Sequence, residues 1–221
     1  ERAICKPLSC PGAILSGELT LHQPTASILL DCLRYTGGAK KTEQLKHITA
    51  EQWHGVAQLA KAHSVEAPLY HILKSLEIAI PGDVAGQLMR ENQKNIIWNM
   101  RLYQELYKLL RLLQKKDIAV IVLKGAYLAD AIYENIGLRS MGDVDLLVKK
   151  DDLARIDQEM LAQGCIPEDS NRVISKNNWH FCYKMPGSGL RVEVHWTILA
   201  TSYPFQIDVN GLWNRAQPVI L

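Results

Sequence analysis

The sequence predicts an α+β protein, with an all-helical N-terminal region followed by a region that mixes strands and helices. Two observations carry this expectation. From about residue 25 to residue 116, apolar residues recur at three- and four-residue steps, the period of an amphipathic helix. From residue 117 onward, β-branched runs alternate with helical patterns and glycine-containing turns. The chain therefore divides into a helical region, 1–116, and a strand-containing domain, 117–221.

The elements follow in chain order. "TASILLDCLRY" reads as a helix stopped at Gly37-Gly38, because glycine ends helices readily. "TAEQWHGVAQLAKAHS" starts from a threonine cap and places Trp53, Val56, Leu59 and Ala60 on one face. "VEAPLYHILKSLEI" is a shorter helix closed by Pro81. Beyond Pro81-Gly82, Leu88, Ile96, Met100, Tyr103, Leu106, Leu109, Leu110 and Leu113 define one long amphipathic helix or two in tandem, the spine for the rest. "IAVIVLKG" is then a buried strand turning into the helix "AYLADAIYENI". The loop "GLRSMG", the strand "DVDLLVK", the helix "DDLARIDQEMLAQG" and the short strand "CIPED" come next. "WHFCYKMPGSGLRVEVHWTIL" ends the series as two strands joined at Pro186-Gly187-Ser188-Gly189.

Composition bounds the function. With 48% hydrophobic residues in 221, the chain can bury a proper core. Twenty-five Lys plus Arg against 23 Asp plus Glu give no general attraction for nucleic acid, which is not expected as a partner. No apolar run reaches bilayer length, so no membrane partner is expected either. Cys5, Cys10, Cys32, Cys165 and Cys182 show no C-x-x-C pair or histidine-rich neighbourhood of the kind that marks zinc, and read as reduced thiols in a cytoplasmic protein. The start without Met reads as trimmed or tagged, and the apolar ending "LWNRAQPVIL" suggests that the natural protein continues.

The chemistry concentrates in "SMGDVDLLV". Successive strand residues point to opposite faces, so Asp143 and Asp145 aim at one place while Val144 points away. Alone, such a pair reads as a solvated strand start. In "LRVEVHW", however, Arg191, Glu193 and His195 share a face between apolar neighbours. With its strand beside that of Asp143 and Asp145, Glu193 completes a three-carboxylate nest suited to Mg²⁺, a hard ion that prefers oxygen. Two such ions can activate an attacking oxygen and stabilise a leaving pyrophosphate. Without a cation the three acids repel, so Asp145→Asn is expected to leave the metal-free fold as stable or more stable. Lys124-Gly125-Ala126 sits at a strand-to-helix junction where backbone N–H groups favour phosphate, although such turns also need glycine for geometry alone. Arg139 reaches phosphate or acceptor, or is solvated or paired with an acid. His195 is a base, orients Glu193, or is a structural histidine beside Trp196; His180 has a weaker claim. Trp98, Tyr103 and Tyr107 read as packing.

"LKGAYLADAIYENIGLRSMGDVDLLV" followed by "VEVHW" resembles the nucleotidyltransferase superfamily with the DNA polymerase beta-like fold, and most closely its uncharacterised bacterial branch. The motifs cover about Ile118 to Leu199. The resemblance implies a small mixed β-sheet flanked by helices, a nucleoside triphosphate such as ATP bound with Mg²⁺ or Mn²⁺, and transfer of the nucleotidyl group to an acceptor. It implies Asp143, Asp145 and Glu193 as catalytic metal ligands, and Lys124, Gly125, Ala126 and Arg139 around the nucleotide. The acceptor, a small molecule, sugar, peptide or protein, stays open. Two features depart from the pattern: Ala126 stands where Ser or Gly is usual, and the 16 residues between Ala126 and Asp143 exceed the usual spacing. A weakly active or inactive binding module of the same fold, acting through a protein partner, is the alternative.

Overall fold

A computed structural model describes residues 23–34, 39–133, 135–168, 174, 177–200 and 202–218. Gly37-Gly38 and both chain ends lie outside the described residues. The N-terminal helices are α1 (Gln23–Leu33), α2 (Ala39–Lys46), α3 (Ala50–Ala62) and α4 (Glu66–Ser75), followed by α5 (Gly82–Lys115). Thr49 caps α3 as expected, accepting from the Gln52 N–H while the Gln52 side chain takes the Thr49 N–H, which satisfies two otherwise orphaned donors. The long pattern is one continuous helix of 34 residues, roughly 50 Å at 1.5 Å per residue.

The second half contains β1 (Val120–Val122), α6 (Lys124–Ala131), β2 (Asp143–Val148), α7 (Leu153–Ala162), β3 (Ile166–Pro167), β4 (His180–Lys184), β5 (Arg191–His195) and α8 (Val209–Arg215). The strands form one mixed sheet in the order β1-β2-β5-β4-β3, in which β2 and β5 run parallel and the other neighbours antiparallel. The fold is the mixed α+β architecture expected from the sequence. α6 starts two residues earlier and stops at Ala131, short of the helical reading to Ile136. α2 and α8 were not anticipated: α2 is too polar for an apolar stripe, and α8 is one short helix whose sequence signal is its cap, the Asp208 side chain accepting from the Gly211 N–H at 2.8 Å. Among the described residues, no helix is long and apolar enough to cross a membrane.

Apolar burial occurs in two clusters. One joins α1 to α4 with Val84 and Leu88 of α5; the other joins Leu102, Leu106, Leu109 and Leu113 of α5 to α6, α7 and the face of the sheet that carries Val144, Leu146, Val192 and Val194. α5 therefore contributes to both cores. Between its two apolar segments α5 carries polar side chains that hold the 136–141 loop. Asn95 Nδ2 donates to the Gly137 carbonyl at 2.6 Å, Trp98 Nε1 to that of Met141 at 2.7 Å, and Asn99 Nδ2 to those of Ile136 and of Arg139, the latter at 2.7 Å. Asn95 and Asn99 lie one turn apart, and Tyr103, one turn further, donates to the Ala126 carbonyl at 2.5 Å. Gly137 allows this docking, because a Cβ there would stand 2.6 Å from Ile96 Cγ1. The long gap before Asp143 is thus used: its chain is fastened to α5.

Asn99 is fully buried, so Asn99→Leu removes two hydrogen bonds and leaves two carbonyls without that donor. Chemical denaturation should show a loss of about 1–3 kcal/mol. An unchanged midpoint would mean that the loop is held by its own packing.

Candidate active site

The parallel pairing of β2 with β5 builds the site. It sets Asp143 opposite Arg191 and Asp145 opposite Glu193, with Leu147 opposite His195. The third acid therefore lies beside the second, on a neighbouring strand and the same face. Asp145 is only 3% exposed and His195 1%.

Isolated carboxylates at that depth would be costly, and the chain supplies partners. Lys124 Nζ lies 2.5 Å from Asp145 Oδ1, and His195 Nε2 lies 2.9 Å from the same oxygen and 3.3 Å from Glu193 Oε2. Since both neighbours of Nε2 are acceptors, that nitrogen carries the proton; Nδ1 has no hydrogen-bond partner among the described residues. Lys124 reaches Asp145 from a left-handed backbone, φ +46°, at the first residue of α6, a conformation that costs a non-glycine residue free energy and is typical of functional sites.

The charges order the titrations. Burial raises the Asp145 pKa, but hydrogen bonds from His195 and Lys124 outweigh it and hold the carboxyl below its ordinary range. The His195 hydrogen bond likewise keeps Glu193 low against its burial. Burial alone would lower His195; its bonds to Asp145 and Glu193 raise it above the ordinary imidazole value. Asp143 is pushed up by burial and then by the charges of Asp145 and Glu193. The expectation that the empty site is a nest of unrelieved repulsion is corrected here, because Lys124 and His195 both lie within hydrogen-bond distance of Asp145 Oδ1.

Gly125 faces the loop before β2. A Cβ on it would approach Met141 Cγ to 3.3 Å and Arg139 Nε to 3.6 Å. Lys124, Gly125 and Arg139 thus gather at the start of α6. Ala126 is buried in the core, so its backbone is what it can offer a ligand. Among the described residues Arg139 Nε is buried without a hydrogen-bond partner, and Arg139 also lines a cavity of about 480 Å³ between the His63–Val65 turn and the 138–142 loop. Gly142 borders that cavity immediately before Asp143. Trp98 and Tyr103 do more than pack, since each holds a backbone carbonyl of the site's frame. The cavity was missed in the sequence, where a turn between two N-terminal helices gives no sign of facing the 138–142 loop.

A mixed sheet that carries two acids on one strand, a third on its parallel neighbour and a lysine at a strand-to-helix junction defines the nucleotidyltransferase class. Residues 49–221 match the family model described as an uncharacterised nucleotidyltransferase, and the chain belongs to that family. No curated protein and no solved structure matches it.

The partnered state of Asp145 predicts that Asp145→Asn destabilises the protein in chelator by about 1–3 kcal/mol. The Asp145 contribution, from a lowered pKa, is lost as pH falls through the folded carboxyl value. The His195 contribution, from a raised pKa, is complete below about 6.5 and lost as pH rises through the folded imidazole value. The difference between wild type and variant should therefore peak in mildly acidic solution and shrink on either side. A variant as stable as wild type throughout would restore the repulsive picture.

Proposed function

We propose that the chain is a Mg²⁺-dependent nucleotidyltransferase, for which Mn²⁺ can substitute, that transfers a nucleoside monophosphate from a triphosphate such as ATP to an acceptor hydroxyl. The observation that carries this reading is the register of Asp145 against Glu193 on parallel neighbours, with Asp143 two residues away on the same face; family membership supports it. The donor set fits the ion: three carboxylates offer only hard oxygen ligands, and their charge exceeds what Lys124 and His195 neutralise. Asp143, Asp145 and Glu193 would hold the metal, which when bound supplies Lewis-acid stabilisation of charge on the reacting phosphate.

The remaining work falls to the chain's own groups. Lys124 neutralises Asp145 in the empty site and meets the phosphate tail in the loaded one. The start of α6, with the Gly125 and Ala126 backbone, and the Arg139 guanidinium receive the phosphates. The cavity between Arg139 and His63 receives the acceptor, because its wall runs directly into Asp143. The acceptor oxygen forms a bond to the α-phosphorus, the bond from that phosphorus to the bridging oxygen breaks, and pyrophosphate leaves. The acceptor proton passes to Glu193, which its low pKa keeps in the anionic form. The division at 116/117 is retained, with the helical region supplying one wall of the acceptor cavity. We assign the protein to the bacterial cytoplasm, a compartment that keeps thiols reduced.

Thermal melting with each ribonucleoside triphosphate, with Mg²⁺ or with chelator, tests this reading. A ligand that binds only the folded state raises the midpoint, so a shift is expected with Mg²⁺ and not with chelator. Lys124→Ala should weaken triphosphate binding more than monophosphate binding. No nucleotide-dependent shift would instead favour a binding module that acts through a protein partner.

A further inference from the structure

On the face that carries Glu193, β4 adds two softer donors. His180 and Cys182 are two residues apart on β4, and the antiparallel register sets Cys182 directly opposite Glu193. The ligand atoms of His180, Cys182 and Glu193 all lie within 4.8 Å of one another. His180 Nε2 is 4.0 Å from Glu193 Oε2, and Cys182 Sγ is 4.0 Å from Glu193 Oε1. Nitrogen, sulfur and oxygen on one tetrahedral zinc stand about 3.5 Å apart, given bond lengths near 2.0–2.3 Å. The two gaps to Glu193 each exceed that spacing by about half an ångström.

We propose that His180, Cys182 and Glu193 form a binding site for a thiophilic transition metal, Zn²⁺ above all, joined to the oxygen-only site through Glu193. Thiolate and imidazole select zinc-like ions over Mg²⁺, whereas the Asp143–Asp145 side selects the reverse. Three protein ligands leave the fourth position open to water. Arg191 Nη2 donates to Cys182 Sγ at 3.2 Å, and a cation beside sulfur favours the thiolate that binds metal. The same guanidinium would repel an arriving cation and also lies 3.7 Å from Glu193 Oε1, so it has to turn toward Glu168, whose Oε2 is 3.0 Å from its Nε, when the metal enters. Glu193 is the shared element: committed to zinc beside β4, it is withdrawn from the site beside β2. Zn²⁺ would therefore oppose Mg²⁺ at the neighbouring site. The inference goes beyond nucleotidyl transfer and does not depend on it.

Cobalt is the probe, because a cysteine ligand gives Co²⁺ a near-ultraviolet charge-transfer band and tetrahedral geometry gives it strong visible bands. The full chain, reduced with a phosphine and freed of metal, is titrated with Co²⁺ alone. Saturation at one ion per chain is expected, with bleaching by equimolar Zn²⁺; a large excess of Mg²⁺ should raise the Co²⁺ midpoint through Glu193 without abolishing the band. Cys182→Ser should abolish the charge-transfer band, His180→Ala should weaken Zn²⁺ binding at least about tenfold, and the double variant Cys5→Ser, Cys10→Ser should behave as wild type. If Cys182→Ser does not fold, His180→Ala decides. No band in the wild type, or a band that survives both β4 substitutions, overturns the proposal. Either result leaves the nucleotide experiment untouched, since no nucleotide is present.

Discussion

Asp145 is a carboxylate almost sealed from solvent in the central pair of a sheet, and the site is organised around neutralising it. Lys124 arrives from the start of α6 and His195 from the end of β5, so the ion pairs tie the first strand-to-helix junction to the strand that carries the third acid. Both partners are placed at some cost, Lys124 in a left-handed backbone and His195 buried to 1% exposure. Such an arrangement leaves the apo protein charge-balanced at Asp145 and Glu193 and short of positive charge only near Asp143. Under the proposed function a cation would take over the neutralisation of Asp145 and free Lys124 for the phosphate tail.

The second constraint is the long helix. Its two apolar segments serve different cores, and the polar stretch between them fastens the loop that leads into Asp143. Asn95, Trp98 and Asn99 satisfy carbonyls that a 16-residue connection would otherwise leave to solvent. The loop is therefore part of the frame, and the connection unusual for this motif becomes a wall of the cavity facing the helical region. Tyr103, by holding the Ala126 carbonyl, fixes α6 to the same spine.

Much of this was legible in the sequence, because it depends on local period. The alternation in "DVDLLV" and "RVEVHW" places the acids on one face, and the three- and four-residue steps of α5 mark its buried side. What was not legible depends on pairing. That β2 and β5 run parallel, with Asp145 against Glu193, is a fact of sheet order that no window of sequence contains; the resemblance named Glu193 as the third acid without its strand's direction or register. Lys124 read as a phosphate ligand because its left-handed backbone, which turns it onto Asp145, leaves no mark in composition. Asn99 gives no signal of its own in the sequence, because nothing in a helical pattern marks a polar side chain as fully buried and bonded to a distant loop. The cysteines gave no zinc signal because His180, Cys182 and Glu193 become neighbours only through the hairpin register.

The account rests on Asp145 and His195 being energetically coupled in the empty site. A double-mutant cycle of Asp145→Asn and His195→Gln, read by chemical denaturation in chelator at mildly acidic pH, measures that coupling directly. The account predicts an interaction energy of about 1 kcal/mol or more, the double variant losing less than the sum of the singles. Additivity within about 0.3–0.5 kcal/mol would contradict it, leaving the two side chains as neighbours without a shared charge.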